Sequence, residues 1–122
     1  MINIMMIVGS INHETHNFVI AVDKMGGIPQ FALPDTMTIE DGCVHLLKDI
    51  TGVDARHGWV TPKLACVKDV LTDSKRIITL VYNVLVPQEC ILANKYETNT
   101  LDVILKNNRT SSELIIQGVR NV

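Results

Sequence analysis

Thr38-Ile39-Glu40-Asp41-Gly42-Cys43-Val44-His45-Leu46-Leu47-Lys48-Asp49-Ile50-Thr51-Gly52 is the stretch whose reading decides the fold. Ile39, Cys43, Leu46, Leu47 and Ile50 recur at i, i+4, i+7, i+8 and i+11, which places them on one face of a helix. Thr38 is a residue type that caps a helix N-terminus, and Glu40 and Asp41 fall in the first turn, where the helix dipole favours acids. Gly52 supplies the left-handed stop after Thr51. A helix over 38–51 is predicted, apolar on one side and therefore packed on a sheet.

Working outward, residues 2–11 and 17–23 read as strands rich in Ile, Val and Met, separated by the polar stretch Asn12-His13-Glu14-Thr15-His16. Gly26-Gly27 marks a tight hairpin turn, and a short apolar piece, Gln30-Phe31-Ala32-Leu33, stops at Pro34-Asp35. Residues 63–71 and 76–87 read as two further strands joined by the turn Thr72-Asp73-Ser74-Lys75. The run from Ile77 to Val86 is apolar on both faces, as an interior strand should be. After Pro87 the pattern turns helical: Leu101, Ile104 and Leu105 suggest a short helix, and Asn107-Asn108 a break. Thr110-Ser111-Ser112-Glu113 has the form of a capping box opening a last helix with Leu114, Ile115 and Val119 on one side. No repeat or linker divides the chain, so residues 1–122 are expected to form one mixed α/β domain.

Composition limits the function classes. With 47% hydrophobic and 20% charged residues, 7 Gly and 4 Pro, the 122 residues exclude a disordered or collagen-like chain. Eleven basic against thirteen acidic residues, a net charge of −2, disfavours a nucleic-acid partner. Three cysteines with no Cys-x-x-Cys pair argue against a disulfide framework. The apolar opening lacks a basic n-region, and no run approaches the roughly 18 apolar residues a membrane span needs. A cytoplasmic protein without a membrane partner is the expectation.

The segment Phe31-Ala32-Leu33-Pro34, then Thr38-Ile39-Glu40-Asp41, then Leu46-Leu47-Lys48-Asp49-Ile50-Thr51-Gly52-Val53 resembles the signature region of Nudix domains. There a strand ending Leu-Pro-Gly-Gly leads through a loop into a helix bearing Arg-Glu-Leu-x-Glu-Glu and ending Thr-Gly-Leu. The run from Val67 to Tyr82 is similar to the later hairpin of that fold. The resemblance covers most of the chain and implies an α/β/α sandwich with a mixed sheet. It also exposes departures. The family's arginine falls on His45, its first glutamate on Leu46, and the two glutamates before Thr-Gly on Asp49 and Ile50. Asp35-Thr36 replaces the paired glycines, the loop before Thr38 is about five residues short by comparison with the signature, and the upstream glutamate lands near Met37.

Hard divalent cations need several carboxylate oxygens, and here Asp49 alone remains. The resemblance therefore implies a Nudix-like domain that binds a nucleotide-type ligand, such as ADP-ribose, without hydrolysing it, as a sensor or sequestering protein. On that reading there is no catalytic residue, no metal site and no cofactor. Such a pocket needs a stacking aromatic and cations for phosphates. Phe31, Trp59 and Tyr82 are candidates for the first, and Arg76 and Arg109, with Arg56 and Lys75 behind them, for the second. One alternative is a Mg²⁺-dependent pyrophosphohydrolase relying on Glu40, Asp41 and Asp49. Another is an interaction or inhibitor module, with a homodimer formed through the sheet as the expected assembly.

Other features have plainer readings. His13-Glu14-Thr15-His16 lacks metal-site spacing and reads as a polar turn. Cys43 and His45, at i and i+2, do not face each other on a helix, so Cys43 and Cys66 read as structural thiols. Gly26-Gly27 carries neither a dinucleotide fingerprint nor a P-loop lysine.

Overall fold

The structure, a computed structural model, describes residues 1–55, 60–107 and 112–120. Strand β1 (Ile2–Ile11) is buried without interruption from Ile4 to Ser10. Its position explains the seven-residue run. It pairs in parallel with β5 (Lys75–Leu85) on one edge. On the other it pairs antiparallel with both β2 (Phe18–Asp23) and β3 (Gln30–Ala32). β4 (Lys63–Thr72) extends the sheet beyond β5, and β6 (Tyr96–Asn99) extends it beyond β2, giving the order β4-β5-β1-β2-β6 with β3 beside the first half of β1.

Helix α1 (Ile39–Thr51) covers one face and α2 (Leu101–Asn107) with α3 (Ser112–Val119) the other. Side chains of β1 alternate between them. Ile4, Met6 and Val8 join Cys43, Leu46, Leu47 and Ile50 of α1, while Met5 and Ile7 join Ile104, Leu114 and Ile115. The fold is thus an α/β/α sandwich on a mixed sheet, as the sequence predicts. The expected caps of α1 are present: Thr38 Oγ1 accepts from the Asp41 N–H at 3.1 Å, and Gly52 is left-handed at φ 73°.

Each face has one glycine of close approach. A Cβ on Gly42 of α1 would lie 2.5 Å from Leu33 Cδ1 and 2.7 Å from Ile4 Cδ1. One on Gly118 of α3 would meet Ile7 and stand 2.9 Å from Val81 Cγ1. Buried Asn83 of β5 completes the α3 side, donating from Nδ2 to the carbonyls of Gly118 at 2.8 Å and Arg120 at 3.1 Å.

Three readings change. Gly26-Gly27 is a turn, with Asp23 Oδ1 accepting from the Met25 and Gly27 N–H groups, but it closes no hairpin, because β2 and β3 both pair with β1. β6 lies where helix is expected, preceded by a 3₁₀ turn at Gln88–Cys90. The β4–β5 strands run past the helices, so β5 is interior in the sheet yet exposed from Lys75 to Ile77. The turn between them is the expected one, with Asp73 at φ 48° and Ser74 at φ 65°, the left-handed pair of a two-residue hairpin loop. Thr110 and Ser111 of the expected capping box lie outside the described residues. No described helix is long and apolar enough to cross a membrane.

Candidate functional site

The site is built around α1. Leu46 and Ile50 retain 4% and 0% of their exposure. They pack with Val60, Val84, Val86 and Ile91 between the helix and the sheet. Both positions belong to the apolar core under the helix. Asp49, the remaining carboxylate, is engaged on both oxygens. The Tyr96 hydroxyl donates to Oδ2 at 2.6 Å, and Lys95 Nζ reaches Oδ1 at 3.0 Å. These two partners, Tyr96 first, hold the Asp49 carboxyl below its ordinary pKa. Burial, and then the anionic neighbour, pushes the Tyr96 phenol upward. Asp49 is thereby a tether from α1 to the chain before β6. Among the described residues, no three His, Cys, Asp or Glu side chains converge as a metal site would need.

Beside this filled region a mainly apolar pocket of about 330 Å³ remains open, walled by Ile39, Glu40, Cys43 and Val44 of α1, by Pro62, and by Tyr82 of β5. The Cys43 thiol and the Tyr82 phenol hydrogen-bond each other, and burial is the main influence raising both pKa values, so both are neutral near pH 7. Glu40 is the one charged residue among the described residues of that lining.

The sequence-predicted residues scatter around α1. Tyr82 lines the pocket. Phe31 of β3 is half-buried on the other side of the helix, its ring 4.7 Å from that of His45 and tilted by 37°. Gly42 faces Phe31 while Cys43 bonds Tyr82, so α1 runs between the two aromatics and no ligand is sandwiched by both. Arg76 stands exposed at the hairpin tip, paired with Asp69 at 3.2 Å. It lies six positions before Tyr82 along the strand, a distance on the order of 20 Å. Trp59, Arg109 and Arg56 lie outside the described residues. The sequence reading missed Tyr96 and Lys95, whose link to Asp49 spans 46 to 47 positions and leaves no local signal. The other motifs settle simply. Asn12 Oδ1 accepts from the Glu14 and Thr15 N–H groups in a polar turn, and His13 pairs with Glu89 at 3.0 Å.

No protein-family profile and no curated protein sequence matches the chain. Solved structures do. Shewanella oneidensis NrtR superposes with a TM-score of 0.69 at 12% identity over 96% of this chain, which spans 61% of NrtR. The Nudix domain of that protein complexed with ADP ribose gives 0.67 at 13% identity, covering 96% of this chain and 84% of the other. A mutT/nudix family protein from Listeria innocua gives 0.71 at 12% identity, covering 95% and 89%. The chain has a Nudix-like fold. What it does chemically rests on its own side chains.

Proposed function

We propose that this chain is a non-catalytic Nudix-like domain that binds a nucleotide-type ligand, a nucleoside diphosphate derivative of the ADP-ribose kind, as a sensor, regulator or sequestering protein. The observation that carries the reading is the apolar filling at Leu46 and Ile50 together with the tethering of Asp49, which leaves positions 46, 49 and 50 of the helix no free carboxylate pair for a cation. The ADP ribose complex of the NrtR Nudix domain supports the ligand class. Tyr82 and the pocket beside it are assigned to the base or another flat group of the ligand. Phe31, beside His45, offers a second aromatic surface, and Arg76, Trp59 and Arg109 remain candidates for the outer contacts. A Mg²⁺-dependent hydrolase using Glu40, Asp41 and Asp49 is disfavoured because Asp49 is already paired.

Isothermal titration with ADP-ribose, cyclic nucleotides and dinucleotides, in EDTA and in Mg²⁺, tests the reading. Saturable binding that is indifferent to Mg²⁺, returns the ligand intact and weakens about tenfold in Tyr82→Ala is expected. Mg²⁺-dependent cleavage of the diphosphate bridge, seen as two phosphomonoester products, would replace the reading with the hydrolase, and silence across the panel would remove it.

A second reading, a homodimer or interaction module, is favoured by one observation. Edge strand β4 has one free side, and Leu64, Val67 and Leu71 stand 53%, 54% and 68% exposed along it. Sedimentation velocity of the wild type and of Val67→Lys with Leu71→Lys tests this: a dimer in the first and a monomer in the second supports it, and a wild-type monomer at high concentration refutes it.

A further inference from the structure

The face of the sheet opposite α1 holds a larger and more polar pocket, of about 480 Å³, at the lower end of α3. Its construction follows from a break in the β4–β5 ladder. The register shifts between Leu64 and Cys66, so Ala65 is an extra residue in β4 and the strand bends away from its neighbour. Lys63, directly opposite Asn83, then shares a face with Asn83 and Cys66. Gln117 and Arg120 come from α3 and the residue that follows it.

The charge balance of the pocket is one-sided. Among the described residues, Lys63 and Arg120 both line it, no acidic residue does, and neither cation has a carboxylate partner. Glu113, one turn back along α3, accepts weakly from Gln117 at 3.4 Å and lines the neighbouring groove with Lys68 instead. The negative end of α3 would oppose an anion here, but Asn83 has already taken the carbonyls of Gly118 and Arg120 as acceptors. That leaves a concave, polar site with a planar guanidinium, an ammonium and an amide at its walls.

We propose that this pocket binds a small oxyanion carrying two or more charges, of the pyrophosphate or tricarboxylate type, with Lys63 and Arg120 as its charge partners and Gln117 as a further donor. Cations contributed by two different elements suit charged oxygens that are spread apart, because a lone carboxylate would engage only one of them. The site lies across the sheet from Tyr82 and stands independently of the nucleotide reading.

Titration calorimetry of inorganic pyrophosphate and of citrate into the whole chain at low salt tests the proposal, repeated with Lys63→Gln, Arg120→Gln and, as an outlying charge control, Lys106→Gln. All three positions are exposed, so the variants keep the fold, which far-ultraviolet circular dichroism checks. One-to-one binding of either anion is expected, weakened about tenfold by Lys63→Gln and by Arg120→Gln, unchanged by Lys106→Gln, and reduced in 0.5 M salt. Absence of binding by both anions, or equal weakening in all three variants, overturns it. ADP-ribose binding that fails while pyrophosphate binding survives would count against the α1-face reading alone.

Discussion

The Tyr96 hydroxyl donates to Asp49 Oδ2 at 2.6 Å, joining the last turn of α1 to the first residue of β6. In the signature of the family this stretch resembles, the corresponding carboxylate serves a metal. Here it ties two elements together, and Lys95 secures its other oxygen. The contact thus bears on the stability of the fold.

Its pH dependence has a definite sign. The folded Asp49 carboxyl lies below its ordinary value, so its contribution is complete above the unfolded pKa near 4 and is lost as pH falls through the folded one. Since 42% of the side chain meets water, the swing is small. Tyr96 acts at the other limit. Its raised pKa keeps the contribution whole below about pH 10 and loses it as pH climbs through the folded value. Urea midpoints measured from pH 3 to 11 should fall at both ends, less steeply on the acid side for Asp49→Asn. Tyr96→Phe should cost about 1–2 kcal/mol at pH 7.

Restoring the family's glutamates should not restore a metal site. Leu46→Glu and Ile50→Glu each place a carboxylate in hydrocarbon, at a cost of several kcal/mol. The double variant should lose its cooperative thermal transition, and neither single variant should cleave ADP-ribose to AMP and ribose 5-phosphate with Mg²⁺. The smaller change Leu46→Ala should cost about 2–5 kcal/mol, read from denaturant midpoints.

The two close-approach glycines should respond unequally to alanine. An alanine gains up to about 1 kcal/mol of helix propensity over glycine. At Gly118 the new methyl meets Ile7 and Val81, both fully buried, and a net loss of about 1–3 kcal/mol is expected. At Gly42 one of the two obstructing groups is the half-buried Leu33, which has room to turn, so the loss should be smaller. Guanidinium unfolding of the two variants side by side checks the order.

Asn83→Ala should cost about 1–3 kcal/mol, because the carbonyls of Gly118 and Arg120 lose a buried donor. Hydrogen exchange should show the C-terminal turn of α3 opening before α1 does.

Most of the scaffold is legible in the sequence because it is written in local patterns. Helix α1 announces itself by spacing and caps, and β1 and β2 by apolar runs between polar turns. β6 is invisible for the opposite reason. Tyr96-Glu97-Thr98-Asn99 is short and polar and is a strand through its backbone pairing with β2. The candidate site is less legible still. Leu46 and Ile50 can be read as replacements, but Tyr96 meeting Asp49, Cys43 meeting Tyr82, and Lys63 sharing a pocket with Arg120 are pairings across 39 to 57 positions that only the folded chain brings about.

The central place of β1 has a consequence for synthesis. Its longest pairing is with residues 78–85, so β1 must wait for a partner made 76 residues later. Until those residues leave the ribosome, Ile4 through Val8 are an uncovered greasy ribbon with no local element able to hide all of it. Nascent chains halted before residue 78 should therefore depend on trigger-type holdases and aggregate without them, whereas chains released after residue 85 should escape that dependence.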